Sequence, residues 1–465
     1  MVHGGELCYN KGTIIFCKRG VNVATAREVA LQALSEIISS GTYSKSSISG
    51  LIEKNQLSAQ DRALMTEIVY GTLRHFHLLE FYSEPYFKGK VKGWFKLLIY
   101  LTLYQILYLG QVPQHGAINE AVNIAKKRGG QFTGGVANKI LRELCRNPLR
   151  PLEEIQDPSQ RLATQYSHPL WLVKLWQSQY GEEETVAILK ANNERGPLSL
   201  RTNTQKMGRE QLMEQLLKEG IEVKASHLNP EALIVVKGNP IRTQAFLEGA
   251  FYIQDEASML VAHALAPEAD SRVLDVCSAP GGKATHIGAL LNGTGKVVAH
   301  DLYPQKIKLI EENATRLGLS NIEASVLDAT ALGGNYPPES FDYLMVDAPC
   351  SALGTLRRHP EAKFLKKPQD LDQVLQVSEK ILAEASKLLK PGGRLVFSTC
   401  TMNRKENEKQ VERFLKGHPQ FELDPTLSKR MPKPLQDEAK SGMIQLFPSQ
   451  HKTDGFFIAA LVKKV

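Results

Sequence analysis

Residues 273–283 read Val273-Leu274-Asp275-Val276-Cys277-Ser278-Ala279-Pro280-Gly281-Gly282-Lys283, a short apolar strand that runs into a Pro-Gly-Gly turn. The helical pattern of residues 284–291 follows directly. This order of strand, turn and helix places backbone N–H groups and a helix N-terminus around a ligand. Two other glycine-loop families are excluded. Cys277 and Ala284 stand where a P-loop needs Gly and Ser or Thr, and the dinucleotide fingerprint does not have adjacent glycines.

Three aspartates close the strands that follow this loop. Asp301, Asp328 and Asp347 each stand at the end of a successive apolar run. The carboxyl ends of parallel strands meet at one edge of a sheet, and Asp301 is at the position where an acid can hydrogen-bond a ribose diol. A single aspartate at a strand end is more commonly a helix cap or a turn residue. Three of them above one glycine loop favour a ligand site.

Two cysteines occupy equivalent places after two later strands. Cys350 ends the run Asp347-Ala348-Pro349-Cys350, and Cys400 ends Ser398-Thr399-Cys400. A thiolate at such a position can add to an electron-poor ring, and a second thiol and an acid can assist it. The alternative is that both are small hydrophobic residues packed at strand ends, as free cysteines commonly are.

Further stretches complete the pattern. They are Ser351-Ala352-Leu353-Gly354, Arg357-Arg358-His359-Pro360-Glu361 and Glu406-Asn407-Glu408. Together with the glycine loop and the cysteine motifs, they resemble the RNA cytosine-5 methyltransferases. Within this family the chain is most similar to the bacterial 16S ribosomal RNA enzymes of the RsmB (Sun or Fmu) type, which carry a NusB-like N-terminal domain. The resemblance runs from about Ala24 to the C-terminus.

The resemblance implies a cofactor, S-adenosyl-L-methionine. It implies that Asp301 takes the ribose hydroxyls, that Asp328 lies by the adenine, and that Asp347 faces the methyl group and the target base. The loop implied to wrap the amino-acid end consists of Cys277, Ser278, Ala279, Pro280, Gly281, Gly282 and Lys283. Ser278 and Ala284 depart from the usual Ala and Thr, and we expect little loss of binding because such a loop is read through its backbone.

The implied activity is methylation of carbon 5 of a specific cytidine in 16S ribosomal RNA through a covalent cysteine–cytosine intermediate. Cys400 is the implied nucleophile, Cys350 assists release of the product, and Asp347 completes the catalytic set. Two alternatives remain open from the sequence. One is a cytosine-5 methyltransferase of transfer RNA or 23S RNA, and the other is a non-catalytic RNA-binding regulator.

The zinc-dependent deaminases also act on cytosine, and Pro349-Cys350 near His359-Pro360-Glu361 is superficially similar to their motif. Their His-x-Glu precedes Pro-Cys-x-x-Cys, whereas here the order is reversed and Leu353 takes the place of the second cysteine. No other Cys or His cluster has the spacing of zinc ligands, so the sequence predicts no metal.

The chain divides into four predicted regions. They are an N-terminal extension at 1–23, an all-α NusB-like RNA-binding domain at 24–150, a small α/β subdomain at 151–243 and a catalytic domain at 244–465. The last alternates strand and helix, which predicts a Rossmann-like, mostly parallel α/β sheet. A long helix at residues 371–389 is predicted to cover it and to stop at Lys390-Pro391-Gly392-Gly393.

Composition agrees with an RNA-handling enzyme. The 465 residues carry a formal charge of +8 and an isoelectric point near 9.0, which weakly favours a polyanionic partner. Six scattered cysteines form no disulfide framework. The apolar stretch Trp94 to Leu109 is short and contains Lys96 and Gln105, so we expect a core helix and no membrane span. Since residues 1–22 also lack a signal peptide's apolar region, we expect a cytoplasmic protein. We also expect it to be a monomer.

Two basic sets are candidates for phosphate contacts. The first lies in the helical domain and consists of Lys126, Lys127, Arg128, Lys139, Arg142 and Arg146. A solvated helix face is the alternative there. The second is Arg357-Arg358, expected at the mouth of the active site. Because Arg also serves interface ion pairs, the alternative is that this pair bridges the catalytic core to the middle region.

Overall fold

The computed structural model describes residues 7–10, 13–16, 24–40 and 44–465. The chain separates into two compact units, of which the first runs to Val173 and includes Lys363–Leu365, and the second holds the remainder from Lys174. Most of the extension predicted at 1–23 lies outside the described residues. Within it, strands β1 (Leu7–Asn10) and β2 (Thr13–Phe16) pair antiparallel.

The first unit is helical from residue 24 onward, as predicted. Its helices are α1 (Ala26–Ser40), α2 (Ser44–Lys54), α3 (Ala59–Arg74), α4 (Phe76–Ser83), α5 (Gly93–Tyr108), α6 (Gln114–Arg146) and α7 (Pro158–Gln165). The apolar positions that predicted α1 all face the core, and Ala30, Ala33 and Ile37 are fully buried. Helix α1 packs chiefly against α3, and also against α2 and α5.

Helix α5 is the central helix of this core. Leu98, Ile99 and Leu101 are fully buried, and Gln105 satisfies its amide by donating to the Leu101 carbonyl. The apolar stretch therefore forms the predicted core helix. Among the described residues, no helix combines the length and the apolar character needed to cross a bilayer.

Helix α6 carries the whole basic set of the helical unit on one element. Its backbone departs from helical geometry only at Gly130, where φ is +82°, a conformation that glycine adopts without strain. All six cations are exposed to solvent. Lys127 pairs with Glu28 at 2.8 Å, and Lys139 with Glu143 at 3.9 Å, so part of the set is neutralised locally.

The unit boundary falls inside α8 (Leu170–Asn193), which bends at Gly181 and continues further than the predicted segment 171–180. The second unit then begins with a four-stranded antiparallel sheet in the order β4-β5-β3-β6. Its elements are β3 (Leu198–Thr202), α9 (Arg209–Lys218), β4 (Glu222–Ala225), β5 (Ala232–Lys237), α10 (Gln244–Leu247) and β6 (Phe251–Ile253). Since β6 pairs with β3, this sheet extends past the boundary placed at residues 243/244.

An eight-stranded sheet forms the rest of the second unit. Five parallel strands come in the order β11-β10-β7-β8-β9, and antiparallel strands follow beside β11. The parallel strands are β7 (Arg272–Asp275), β8 (Lys296–Asp301), β9 (Ile322–Val326), β10 (Phe341–Asp347) and β11 (Leu389–Thr399). The α/β sheet predicted from the strand–helix alternation is therefore confirmed.

Helices cover both faces of this sheet. The helices of this part of the chain are α11 (Glu256–Leu265), α12 (Gly282–Leu290), α13 (Pro304–Leu317), α14 (Ala362–Leu365), α15 (Pro368–Ser386), α16 (Glu408–Gly417), α17 (Leu427–Arg430) and α18 (Pro448–His451). Of these, α14 belongs mostly to the first unit. One apolar layer includes Leu260, Ile287 and Ile310, and the opposite layer includes Ile381 and Phe397. The buried strands are apolar on both faces, as parallel strands covered on both sides require.

The C-terminal end of the sheet differs from the prediction in two ways. Helix α15 ends at Ser386, and the Pro-Gly-Gly segment lies within β11. Leu389 and Arg394 on its two sides both pair with β10, and the segment between them forms an irregularity in the register. The sequence also predicts that a last strand at residues 456–462 closes the sheet. That strand is β14 (Phe456–Lys463), and it does not close the sheet. It lies between β11 and the short strands β12 (Phe421–Leu423) and β13 (Met443–Leu446), which the sequence did not reveal.

Candidate active site

The glycine loop joins β7 to α12 at the carboxyl edge of the parallel sheet. Gly281 caps α12 with φ +95°, a left-handed conformation that would strain any side chain. Ser278 donates its backbone N–H to the His300 carbonyl at 2.7 Å, which ties the loop to β8. The loop thus has the strand–turn–helix geometry that the sequence predicted.

Asp301 lies directly beside this loop. Its carboxylate is only 6% exposed by residue and accepts from the backbone N–H of Ala279 at 3.3 Å. Lys306 on α13 lies 3.3 Å away and balances part of its charge. A nearly buried carboxylate at a strand end, next to a glycine turn, has the chemistry to accept hydrogen bonds from a diol.

Asp328 takes a different position. It is exposed, and its Oδ1 accepts from both the backbone N–H and the hydroxyl of Thr330 at 2.8 Å. The turn role considered from the sequence is therefore the one that this side chain performs. It stands two residues beyond β9, the edge strand next to β8.

The two cysteines meet because their strands are neighbours. Asp347 at the end of β10 is in register with Ser398 on β11, and each cysteine follows within three residues. The Sγ atoms of Cys350 and Cys400 lie 3.4 Å apart, and both residues are half-buried. The hydrogen bond to Cys400, and then burial, raise the pKa of Cys350 well above its usual range. Cys350 therefore keeps its proton at neutral pH.

Asp347 is fixed by two donors. Lys283 of the glycine loop donates to its Oδ2 at 2.7 Å, and the hydroxyl of Ser398 donates to its Oδ1 at 2.7 Å. Burial alone would lower the pKa of Lys283, but the Asp347 carboxylate outweighs it, so the pKa is raised and the ammonium keeps its proton. The charge of Cys400 also contributes, so Lys283 is electrostatically coupled to both groups. The sequence assigned Lys283 to the loop alone and gave no signal of this ion pair.

The Arg357-Arg358 pair is not free for RNA, which corrects the expectation that it lines the mouth of the site. Arg357 is 3% exposed and donates to the Thr453 carbonyl at 2.9 Å. Arg358 binds Asp454 at 2.7 Å and, on the other side, Asp255 at 2.7 Å. Its guanidinium also donates to the Pro197 carbonyl, next to β3. The bridging alternative describes the pair, because the Pro197 carbonyl belongs to the middle region while Asp255 and Asp454 belong to the catalytic region.

Helix α12 contributes His286 to a cluster of histidines and a glutamate that the sequence spacing of these residues did not indicate. Glu231, His263 and His286 offer ligand atoms within 4.8 Å of one another, with His263 Nε2 2.7 Å and His286 Nε2 3.3 Å from Glu231 Oε1. Both imidazole rings therefore contact the same oxygen of the Glu231 carboxylate. Burial, and then the positive charge of Arg201, lower the pKa of His286 to about 3, so this ring is neutral.

A parallel sheet with a glycine turn, an acid beside that turn and paired thiols at the same edge define a Rossmann-like methyltransferase. Residues 262–462 match the 16S rRNA methyltransferase RsmB/F family, residues 24–146 the NusB family, and residues 168–242 the ferredoxin-like domain of RsmF/B-like methyltransferases. A Bacillus subtilis protein named "Probable ribosomal RNA small subunit methyltransferase B" is 42% identical over 95% of this chain and 99% of that protein. The chain therefore belongs to the RsmB/F family of ribosomal RNA methyltransferases, and the resemblance drawn from its motifs is confirmed.

Two solved structures share the fold. The crystal structure of PH0851 is similar with a TM-score of 0.78 and 26% identity, and the match covers 94% of this chain and 98% of that one. NSun6 from Pyrococcus horikoshii, solved with SFG, is similar with a TM-score of 0.55 and 25% identity. That match covers 62% of this chain and 97% of NSun6.

Proposed function

We propose that this chain transfers a methyl group from S-adenosyl-L-methionine to carbon 5 of a cytidine in 16S ribosomal RNA, through a covalent bond between Cys400 Sγ and carbon 6. The observation that carries the proposal is the pair of sulfur atoms 3.4 Å apart, beside the ion pair of Asp347 and Lys283. One thiol that keeps its proton next to a second thiol is the arrangement needed for a reaction that first forms and then breaks a carbon–sulfur bond.

The cofactor fits the donor set at the glycine loop. The backbone of residues 277–283 and the N-terminus of α12 suit its carboxylate, and Asp301 suits its ribose hydroxyls. Asp328 is an exposed acid that can reach an adenine lying over the end of β9. When bound, S-adenosyl-L-methionine supplies an electrophilic methyl group. SFG, the group in the NSun6 structure, is an analogue of this cofactor.

Attack begins at Cys400. Carbon 5 of cytosine is a poor nucleophile, and addition of the Cys400 thiolate to carbon 6 moves electron density onto it. Cys350 keeps its own proton and can donate it to the neighbouring sulfur as a hydrogen bond, which orients Cys400. The Lys283 ammonium is electrostatically coupled to Cys400, so a positive charge faces the attacking sulfur.

Asp347 and Lys283 act on the ring during this addition. The Asp347 carboxylate is positioned by Ser398 and Lys283, and it faces the N3 edge of the base in the proposed complex. The protonated Lys283 supplies the proton that such an edge needs when charge builds on N3. Both residues are rigidly held, which limits the reorganisation required in the transition state.

Release restores the enzyme. Once carbon 5 has formed its bond to the methyl group, a base near Cys350, or a water molecule held there, takes the carbon 5 proton. The electron pair of that C–H bond restores the ring double bond, and the bond between carbon 6 and Cys400 breaks to return the thiolate. N3 then gives its proton back to Lys283. Since a stacked base cannot meet both a thiol and a methyl donor, the cytidine must be flipped out.

The choice of 16S ribosomal RNA is supported by the names of the relatives and by the NusB match, whereas the catalytic motifs do not distinguish RNA classes. The exposed cations of α6 are suited to RNA phosphates. A non-catalytic regulator would have no need of two adjacent thiols beside an acid–lysine pair. Transfer RNA and 23S RNA remain the competing substrates.

The deciding experiment maps 5-methylcytosine in the ribosomal and transfer RNA of cells with and without the gene, followed by rescue with the wild-type chain and with Cys400→Ala. We expect one 16S cytidine to lose its methyl group and to regain it only with the wild-type chain. A mark lost from transfer RNA or 23S RNA would reassign the substrate. Unchanged marks in all three RNAs would refute the proposal.

A further inference from the structure

The loop that contains Cys350 is held by one buried carboxylate, that of Glu406. Glu406 is 2% exposed, and its Oε2 accepts the backbone N–H of Ser351 at 2.7 Å. Its Oε1 accepts the Ser351 hydroxyl at 2.6 Å and the Asn403 side chain at 2.8 Å. Ser351 is the residue next to Cys350, so Glu406 grips the Pro-Cys loop through both its backbone and its side chain.

The residue after Glu406 binds the loop that contains Cys400. Asn407 is fully buried, accepts the Thr399 hydroxyl at 2.6 Å and donates to the Thr401 carbonyl at 3.0 Å. These are the two residues that flank Cys400. The hydroxyl of Thr401 also lies 2.7 Å from that of Ser351, so the two loops are joined directly.

Backbone contacts reinforce the connection. Gly354 donates its N–H to the Cys400 carbonyl at 3.0 Å and accepts from the Gly455 N–H at 2.8 Å. A Cβ at Gly354 would lie 1.8 Å from the Gly455 carbonyl oxygen, so no side chain fits there. The Cys350 loop is therefore pressed against the Cys400 loop from one side and bound to Glu406 on the other.

A buried carboxylate is costly unless its hydrogen bonds are complete. Burial raises the pKa of Glu406, and the bonds from Ser351 oppose that effect. A leucine of similar volume would occupy this space without the cost of desolvating a carboxylate. What the carboxylate adds is a geometric link between two loops that are 50 residues apart in the chain.

We propose that Glu406 is a positioning residue that, through Ser351, holds the Cys350 sulfur against the Cys400 sulfur and thereby sets the rate of product release. This inference rests on the proposed function. Release is the step affected, because Glu406 binds the loop of Cys350, whereas Cys400 is held separately by Asn407 and by β11. Without Glu406, attack and methyl transfer continue, and the covalent RNA adduct accumulates.

The test compares Glu406→Ala with Glu408→Ala. Glu408 belongs to the same Glu-Asn-Glu motif, but its carboxylate pairs with Arg404 at 3.0 Å and lines an open cavity with Tyr180. Each purified protein is mixed with 16S RNA and S-adenosyl-L-methionine, and the adduct is followed on denaturing gels alongside kcat and KM. We expect Glu406→Ala to resolve the adduct at least tenfold more slowly, with a lower kcat and unchanged cofactor affinity. Glu408→Ala should behave as the wild type.

Two conservative variants separate positioning from a general loss of structure. Glu406→Gln keeps an acceptor for the Ser351 N–H and can donate to its hydroxyl, so it should restore part of the resolution rate. Ser351→Ala removes the bridge to Thr401 and Glu406 Oε1 but keeps the backbone bond, and should slow resolution in a protein that melts normally. These variants report on the inference even if Glu406→Ala does not fold.

Three results would overturn the inference. They are wild-type resolution by Ser351→Ala, wild-type resolution by folded Glu406→Ala, and equal slowing by Glu408→Ala. Failure of the proposed function looks different, because the wild type would then methylate no RNA and Cys350→Ala would trap none. That outcome would remove the inference together with its premise.

Discussion

Cys350 Sγ and Cys400 Sγ lie 3.4 Å apart, although the residues are separated by 50 positions in the sequence. At that distance the two sulfur atoms are within hydrogen-bonding range of each other. The raised pKa of Cys350 assigns it the proton. Cys400 is left as the sulfur available for attack, which yields different expectations for the two cysteines.

Cys400→Ala should abolish methyl transfer and every covalent adduct, because the attacking sulfur is gone. Cys350→Ala should still form the adduct and resolve it slowly, since Cys350 contributes to release. Denaturing gels with radiolabelled RNA measure both. A trapped complex with Cys400→Ala and none with Cys350→Ala would reverse the two roles.

Asp301→Ala should weaken S-adenosyl-L-methionine by roughly 2–4 kcal/mol, because two hydrogen bonds to a charged acceptor are lost. Titration calorimetry measures the affinity, and a melting curve checks the fold. Asp328→Ala is the matched control, since its carboxylate is exposed and bound to Thr330, and we expect a smaller loss. Equal effects of the two substitutions would contradict the separate places of these acids.

Arg358→Ala should destabilise the second unit by about 3 kcal/mol, because Asp255 and Asp454 would be left buried without their shared partner. Chemical denaturation measures the loss. The control is Arg209→Ala, which removes a solvent-exposed pair with Glu210 and should leave the stability nearly unchanged. An Arg358→Ala protein of normal stability that had lost only RNA affinity would restore the RNA role for this arginine.

Acidification should destabilise the protein through His286. Its folded pKa of about 3 lies below the model-peptide value of 6.5, so between these limits the unfolded chain takes up a proton that the folded protein refuses. This contribution is complete above about pH 6.5 and falls by at most about 1.4 kcal/mol per pH unit toward pH 3. His286→Gln should flatten the loss of stability between pH 6 and pH 4, whereas His115→Gln, at an exposed site, should not. If the stability of the wild type and of His286→Gln fell equally with pH, His286 would not be the source of the acid sensitivity.

Replacing Lys139, Arg142 and Arg146 by Gln should weaken RNA binding and flatten its salt dependence. If each contacts one phosphate of single-stranded RNA, the slope of log K against log salt should fall by about 2. Filter binding at several salt concentrations measures it. An unchanged slope would exclude this face of α6 from the RNA site. The control replaces Lys416, Lys429 and Lys440 by Gln, which changes the net charge by the same amount at exposed sites outside α6.

Local patterns were enough to predict much of the fold. The apolar runs that end at Asp301 and Asp347 are parallel strands, and the periodicity at Ala30, Ala33 and Ile37 forms a buried helix face. These predictions succeeded because burial on a strand or a helix repeats within a few residues of the chain. The meeting of Cys350 with Cys400 followed from the adjacency of two strand ends.

The failures share a physical cause, which is that the partner is distant in the chain. Arg358 finds Asp255 103 residues away and Asp454 96 residues away, and neither has a local signature. Lys390-Pro391-Gly392-Gly393 resembles a helix stop, yet tertiary pairing with β10 incorporates it into β11. Short strands such as Phe421–Leu423 have too few residues to display a period.

Strand β14 comes after every other strand of its sheet in the chain, yet it occupies an interior position beside β11. During synthesis, one edge of β11 therefore stays unpaired until residues 456–463 have been made. Gly455, which begins this final stretch, also presses on the Cys350 loop through Gly354. A chain that lacked residues 455–463 would have neither the strand that joins β11 to β12 and β13 nor the backbone that confines the Cys350 loop. The Cys350 loop can therefore take its final position only after residues 455–463 have been made, although they follow it by about a hundred residues.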